Sequence, residues 1–266
     1  MATDADSKSL DVFGTRPAAR ALEKATDAGI AGAGAFFGRI CLPAAEEFGL
    51  LLKDKVSRWR AKNAAQIGLH AEKLIGTDGK NLHAHPRLVW EVIDSGSWSD
   101  DDVVLKMWGG LLAASCTDGK ADDSNIIFTS LLTRLTSAQV RILAFACENG
   151  TKYVTASGLP QAERFTMTLE QLSSVTGVHD IHRLDRELDY LRSMELIGGG
   201  LGSGGFSTEG TTADVSITAL AMHLYVRGQG YLGSPVEFWG LKPQRAANPP
   251  VPIPHASEPS NAETPN

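Results

Sequence analysis

Lys53-Asp54-Lys55-Val56-Ser57-Arg58-Trp59-Arg60-Ala61-Lys62-Asn63 is a densely basic stretch in an acidic chain, and it reads as helix. Laid on a helix with its neighbours, Leu52, Val56, Trp59, Asn63, Ile67, His70 and Leu74 recur at intervals of three and four and share one face. Lys55, Arg58, Lys62 and Lys73 run along one border of that face, with Lys53 and Arg60 near the other. The pattern predicts a helix that packs an apolar seam and holds positive charge beside it. Such charge serves an anionic partner or ion pairs within the protein, so Lys53, Lys55, Arg58, Arg60 and Lys62 are the candidate anion- or partner-binding residues. Ion pairing, internal or between subunits, is favoured over nucleic acid, because the chain carries a formal net charge of −6. Asn63 and His70 lie in the predicted seam, where a polar group needs a hydrogen-bond partner.

Downstream, Ser99 is a candidate N-cap, and Asp100, Asp101 and Asp102 follow in a first turn where the helix dipole favours negative charge. The helix they open carries Val103, Val104, Met107, Trp108, Leu111 and Leu112 on a broad apolar face. The three aspartates are the obvious partners for the basic borders. The expectation is a clasp between two helices, built from Trp59, Asn63, Asp100, Asp101, Asp102 and Trp108.

Upstream, Gly29 to Leu52 is the most membrane-like segment, but Arg39, Pro43, Glu46 and Glu47 interrupt it and no uncharged span remains. On a helix, Phe37, Ile40, Cys41, Ala44, Phe48 and Leu51 line one side. An amphipathic packing helix is favoured over one lying on a membrane surface, given the acidic residues on its polar face. Residues 1–15 are polar, have no signal-peptide pattern and are expected to be disordered.

The composition shifts near residue 150. Ser124 to Arg134 and Ser137 to Glu148 read as helices, the second capped by Thr136. Leu169 to Val175, a turn at Gly177, the helix Asp180 to Met194 and a strand pattern at Val215-Ser216-Ile217 follow. Short helix, turn, longer helix, hairpin is the order of a winged-helix-like module. The expected architecture is mainly α: a helical domain over 16–150, a small winged-helix-like α+β module over 151–240 and a disordered tail over 241–266. The second helix of the module carries Arg183, Arg186 and Arg192 but also Asp180, Asp185, Glu187 and Asp189, a poor charge balance for reading DNA. Gly198 to Gly205 lacks the order of a phosphate loop and reads as a flexible wing.

Cys41, Cys116 and Cys147 are far apart and odd in number, which fits a reducing cytoplasm better than a disulfide scaffold. His83-x-His85 falls in apparent loop without other ligands nearby, and His179 and His182 read as helix surface, so no metal or other cofactor is expected. No hydrolase elbow or zinc-protease motif is present, and no catalytic residue is assigned.

Three segments resemble one family. Leu51-Leu52 with the basic stretch through Asn63 resembles the basic helix of the Abi-alpha (abortive infection alpha) family. Ser99-Asp100-Asp101-Asp102 leading to Met107-Trp108-Gly109-Gly110-Leu111-Leu112-Ala113-Ala114-Ser115 resembles its acidic start and W-x-x-L-L-A helix. Phe128, Leu131, Leu132 and Leu135-Thr136-Ser137-x-Gln139 resemble its third signature, with Val140 where alanine is common. The likeness spans roughly residues 40–225. It implies a bacterial phage-defence protein, without carrying a catalytic constellation. The expected mode is binding of a phage or host protein, or disturbance of the inner membrane through residues 29–52, from a cytoplasmic or peripheral location. A homo-oligomer is compatible with this. A winged-helix nucleic-acid regulator is the alternative.

Overall fold

The computed structural model describes residues 16–50, 55–76, 82–118, 123–198 and 212–242. The expectations for residues 1–15, for Leu51, Leu52 and Lys53, for most of the glycine-rich run and for the tail lie outside these.

Three helices open the chain: α1 (Arg16–Ile40), α2 (Leu42–Leu50) and α3 (Lys55–Ile75). The amphipathic segment expected across residue 41 is two helices. Pro43 in the first turn of α2 has no N–H to continue α1, and the break falls at Cys41. Phe37, Ile40, Cys41, Ala44 and Phe48 still face inward, together with Phe36. No helix among the described residues is long and apolar enough to cross a membrane.

Strand β1 (Leu82–His83) then pairs antiparallel with β2 (Thr117–Asp118), so His83 lies in a short strand rather than the loop expected there. Between them, α4 (Pro86–Glu91) runs into a π-helical turn, Val92–Gly96, and α5 (Asp102–Ala113) follows. The His85 imidazole caps α4 by accepting the Arg87 N–H at 3.3 Å. Helices α6 (Ile126–Leu132) and α7 (Ser137–Asn149) complete the helical part. Thr136 caps α7 in a reciprocal capping box with Gln139.

The β module holds β3 (Lys152–Val154), β4 (Pro160–Ala162), β5 (Thr166–Thr168), α8 (Leu169–Thr176), α9 (Ile181–Ser193) and β6 (Thr212–Asp214), followed by α10 (Ala219–Gly228) and α11 (Pro235–Phe238). β3 pairs with β4 and β5 with β6, each antiparallel, and an isolated bridge joins Ile197 to Ile217. The protein is thus mainly α with a small β module, the fold class the sequence predicts. Gly177, with φ 72°, ends α8 in the left-handed conformation. Asp180 caps α9, whose Leu184, Leu188 and Leu191 are buried; Ile181, read as part of that stripe, is exposed.

One hydrophobic core runs from Ala33 to Val226 and crosses residue 150 without a break. The composition shift there marks where strands enter. Two close helix approaches organise this core. A Cβ on Gly109 of α5 would lie 2.6 Å from the His70 Cβ and 3.0 Å from the Ile67 carbonyl oxygen of α3. A Cβ on Gly110 would run into the Gly228 carbonyl of α10. Consecutive glycines therefore let α5 take α3 on one side and α10 on the other, and the centre of that layer is the buried Trp108.

Two histidines sit half-buried in this framework. Burial lowers the pKa of His70, with Lys106 and Lys73 acting in the same direction and Asp102 opposing. Burial and Arg227 lower that of His223. Protons therefore bind the unfolded chain first, and stability falls as pH drops below about 6.5 toward the lowered folded values. A melting temperature a few degrees lower at pH 5.5 than at 7.5 is expected. The paired changes His70→Gln and His223→Gln should flatten that slope; an unchanged slope in the double variant would assign it to other groups.

Candidate functional site around Arg60

The buried face of α3 keeps Asn63 and Ile67 of the predicted seam but is centred elsewhere. Ala61, Asn63, Ala64, Ala65, Ile67, Gly68 and Ala71 are buried, whereas Trp59 is 37% and Leu74 52% exposed. The seam is turned by about one residue, roughly 100°. The reason is space. A Cβ on Gly68 would lie 3.3 Å from Phe37 and 3.5 Å from Phe36 of α1, so the crossing admits only small side chains and sends the tryptophan outward.

The same turn carries Arg60 inward. Its Nε donates to Ser97 Oγ at 2.9 Å, and its Nη2 donates to the Asp94 carbonyl at 2.9 Å and to the Asp94 carboxylate at 3.0 Å. The guanidinium lies 4.4 Å over the Trp98 ring. Beside it, the Asn63 amide donates to the Ser97 carbonyl at 3.0 Å. Arg60 thus ties α3 to the π-helical turn, a wide turn of the kind that concentrates at functional sites. The partners of this clasp are Asp94, Ser97 and Trp98, not the aspartates expected.

Asp101, rather than Ser99, is the N-cap of α5. One of its carboxylate oxygens accepts the Val103 and Val104 N–H groups at 3.0 and 3.3 Å, and the other takes Arg141 of α7 at 2.7 and 3.1 Å. Its negative charge is used for capping and for tying α5 to α7. Asp100 and Asp102 are exposed, and neither pairs with a described cation of the basic helix. Arg58 and Lys62 are exposed without an ion pair among the described residues. Lys53 lies outside those residues, and Lys55 begins α3.

Trp59 and Trp98 meet at the surface with their rings tilted by 55° and 6.3 Å between centroids, and Trp98 is 57% exposed. The result is an exposed aromatic pair with a pinned guanidinium beneath one ring and two unpaired cations nearby. Sequence reasoning missed Trp98 and Asp94; the signal that could have found them is the run Asp94-Ser95-Gly96-Ser97-Trp98, where polar residues end in a lone large aromatic. Next to this face, a cleft of about 280 Å³ opens between the start of α5 and the α6–α7 connection, lined by Trp98, Asp100, Trp108, Leu132, Leu135 and Ser137 among others. The second and third segments that carry the family resemblance meet in this cleft, and Arg60 of the first reaches it through Trp98.

The thiols are sequestered. All three cysteines are buried and free; burial pushes the Cys116 thiol up to about 12 and that of Cys147 above its usual range, which keeps both as thiols. No group of three or more His, Cys, Asp or Glu among the described residues could hold a metal ion.

No curated protein and no solved structure matches the chain. The abortive infection alpha model matches residues 59–203, more than half of the 266. That match takes in Trp59, the Arg60 clasp and the whole of the cleft beside it, and with it the chain belongs to the abortive infection alpha family, a family of phage defence.

Proposed function

We propose that the protein acts in abortive infection by binding a protein partner through the Trp59–Arg60–Trp98 face, with no chemistry of its own. The carrying observation is the exposed tryptophan pair with Arg60 fixed beneath it. Tryptophan and arginine are the residues that dominate binding energy at protein interfaces, and a face already pinned by hydrogen bonds loses little side-chain freedom when it docks. Arg58 and Lys62 give this face a basic rim, so the partner it fits presents an apolar or aromatic centre with acidic surroundings. The alternative route through the membrane finds little support. The apolar side chains that would enter a bilayer, Phe36, Phe37, Ile40 and Phe48, are already buried in the core.

Inducible expression in a phage-sensitive host tests the reading. Phage yield should drop by at least about tenfold for some members of a broad panel, the scale of a specific defence rather than of growth burden. Unchanged yields across the panel would overturn it.

A further inference from the structure

The α9 helix looks unfit for an anionic ligand on its residue count, and the structure sorts those residues into two groups. Three of the four acids are occupied: Asp180 caps the helix, Asp189 pairs with Arg192 at 3.1 Å, and Glu187 accepts the Thr136 hydroxyl at 2.8 Å while its other oxygen faces Arg183 at 3.6 Å; the fourth, Asp185, does not line the cavity that Arg134 and Arg186 share. Arg186 is exposed on the same helix, Arg134 is exposed on the α6–α7 connection, and neither has an ion pair among the described residues. These two arginines line one cavity of about 300 Å³ with Thr136, Gln139, Glu187 and Tyr190. Tyr190 is 40% exposed and offers a ring at its wall.

We propose that this cavity binds a nucleoside phosphate, either a free nucleotide or one residue of a single strand. Two guanidinium forks bracketing one space match the oxygens of a phosphate, which each can hold through paired N–H donors. The Tyr190 ring supplies a face on which a base stacks without regard to its identity. Glu187 does not cancel the site, because Arg183 faces its carboxylate at 3.6 Å and the two arginines leave the cavity lining net positive. The cavity is at the small end of ligand sites, in keeping with a single nucleotide. It also lies back to back with the cleft beside Trp98. Thr133, Leu135 and Ser137 line that cleft while Arg134 and Thr136 line this cavity, so one short connection forms a wall of both.

The test uses the full chain with two probes: AMP followed by calorimetry, and a fluorescein-labelled short oligothymidylate followed by anisotropy. Saturable binding of either supports the site, and which probe binds distinguishes the free nucleotide from the strand. Arg134→Gln with Arg186→Gln should weaken that binding by about tenfold or more while leaving the melting temperature unchanged, since both side chains are exposed. Tyr190→Ala should weaken it further, and Tyr190→Phe should keep it. For the strand, the affinity should fall with salt at a slope of about −1, as expected for one or two phosphate contacts. Failure of the wild-type protein to bind either probe, or equal binding by the double arginine variant, would overturn the proposal. The phage-yield test of the tryptophan face does not depend on this outcome.

Discussion

Replacing Gly110 by alanine is expected to abolish the native fold. The added methyl would occupy the space of the Gly228 carbonyl, and a clash with backbone cannot be relieved by turning a side chain. Either α10 moves off α5 or the helix distorts, and both open the core around Trp108, Met107 and Val226. A loss of about 4 kcal/mol or more is expected, a large part of the stability of a domain this size. Gly109→Ala meets the Ile67 carbonyl and the His70 Cβ and should behave in the same way. Gly228→Ala is the control. Its methyl would meet the flexible Met107 side chain at 3.1 Å, so about 1 kcal/mol is expected, because methionine repacks. Urea titrations of the three variants separate these cases. A Gly110→Ala protein melting within a few degrees of wild type would show that α5 and α10 are not in backbone contact.

The second large effect belongs to Arg60. Its side chain is 15% exposed, makes three hydrogen bonds to Asp94 and Ser97 and covers Trp98. Arg60→Ala takes the donor from the Ser97 hydroxyl and the Asp94 carboxylate and leaves the Asp94 carbonyl only the Ser97 O–H at 3.3 Å, and should cost about 3 kcal/mol. Arg60→Lys should recover only part of this, since a single ammonium cannot replace the planar fork or stack as well on the indole. Asp94→Ala should cost about 1 kcal/mol, because its carboxylate is half-exposed and screened. A double-mutant cycle between Arg60 and Asp94 should show coupling, and one between Arg60 and Asp100 should show none. Coupling to Asp100 instead would restore the clasp that the charge pattern alone predicts.

That contrast shows how far the residues could be read. Signals contained within one element were legible: the Thr136 cap, the turn at Gly177, the Leu184, Leu188 and Leu191 stripe of α9 and the apolar face of α5. Each depends on neighbours three or four positions away, which the sequence displays directly. The face of α3 was not legible, because its large side chains do not mark its core. The helix in fact buries its smallest residues, Ala61, Ala64, Gly68 and Ala71, with Gly68 against the rings of α1 and Ala71 beside Gly109 of α5. That choice depends on what α1 and α5 bring to the crossing. The partner of Arg60 was hidden for a related reason. Asp94 and Ser97 are separated from it by more than thirty residues, in a run that reads as turn punctuation, and only the π-helical turn sets them against α3. Asp100–Asp102 are the better partner by charge alone, but carboxylates at a helix start have other groups to satisfy. At the head of α5 the backbone N–H groups and Arg141 claim Asp101 first.

The central claim is that defence runs through the exposed tryptophan pair, and the most direct test is phage yield from cells expressing Trp59→Ala with Trp98→Ala, set beside the wild-type protein at matched expression and with both melting temperatures measured. Both rings are at the surface, so the double variant should keep its fold to within a few degrees. The account predicts that this folded variant no longer protects and that phage yield returns to that of the empty vector. A folded double variant that protects as well as wild type would contradict it.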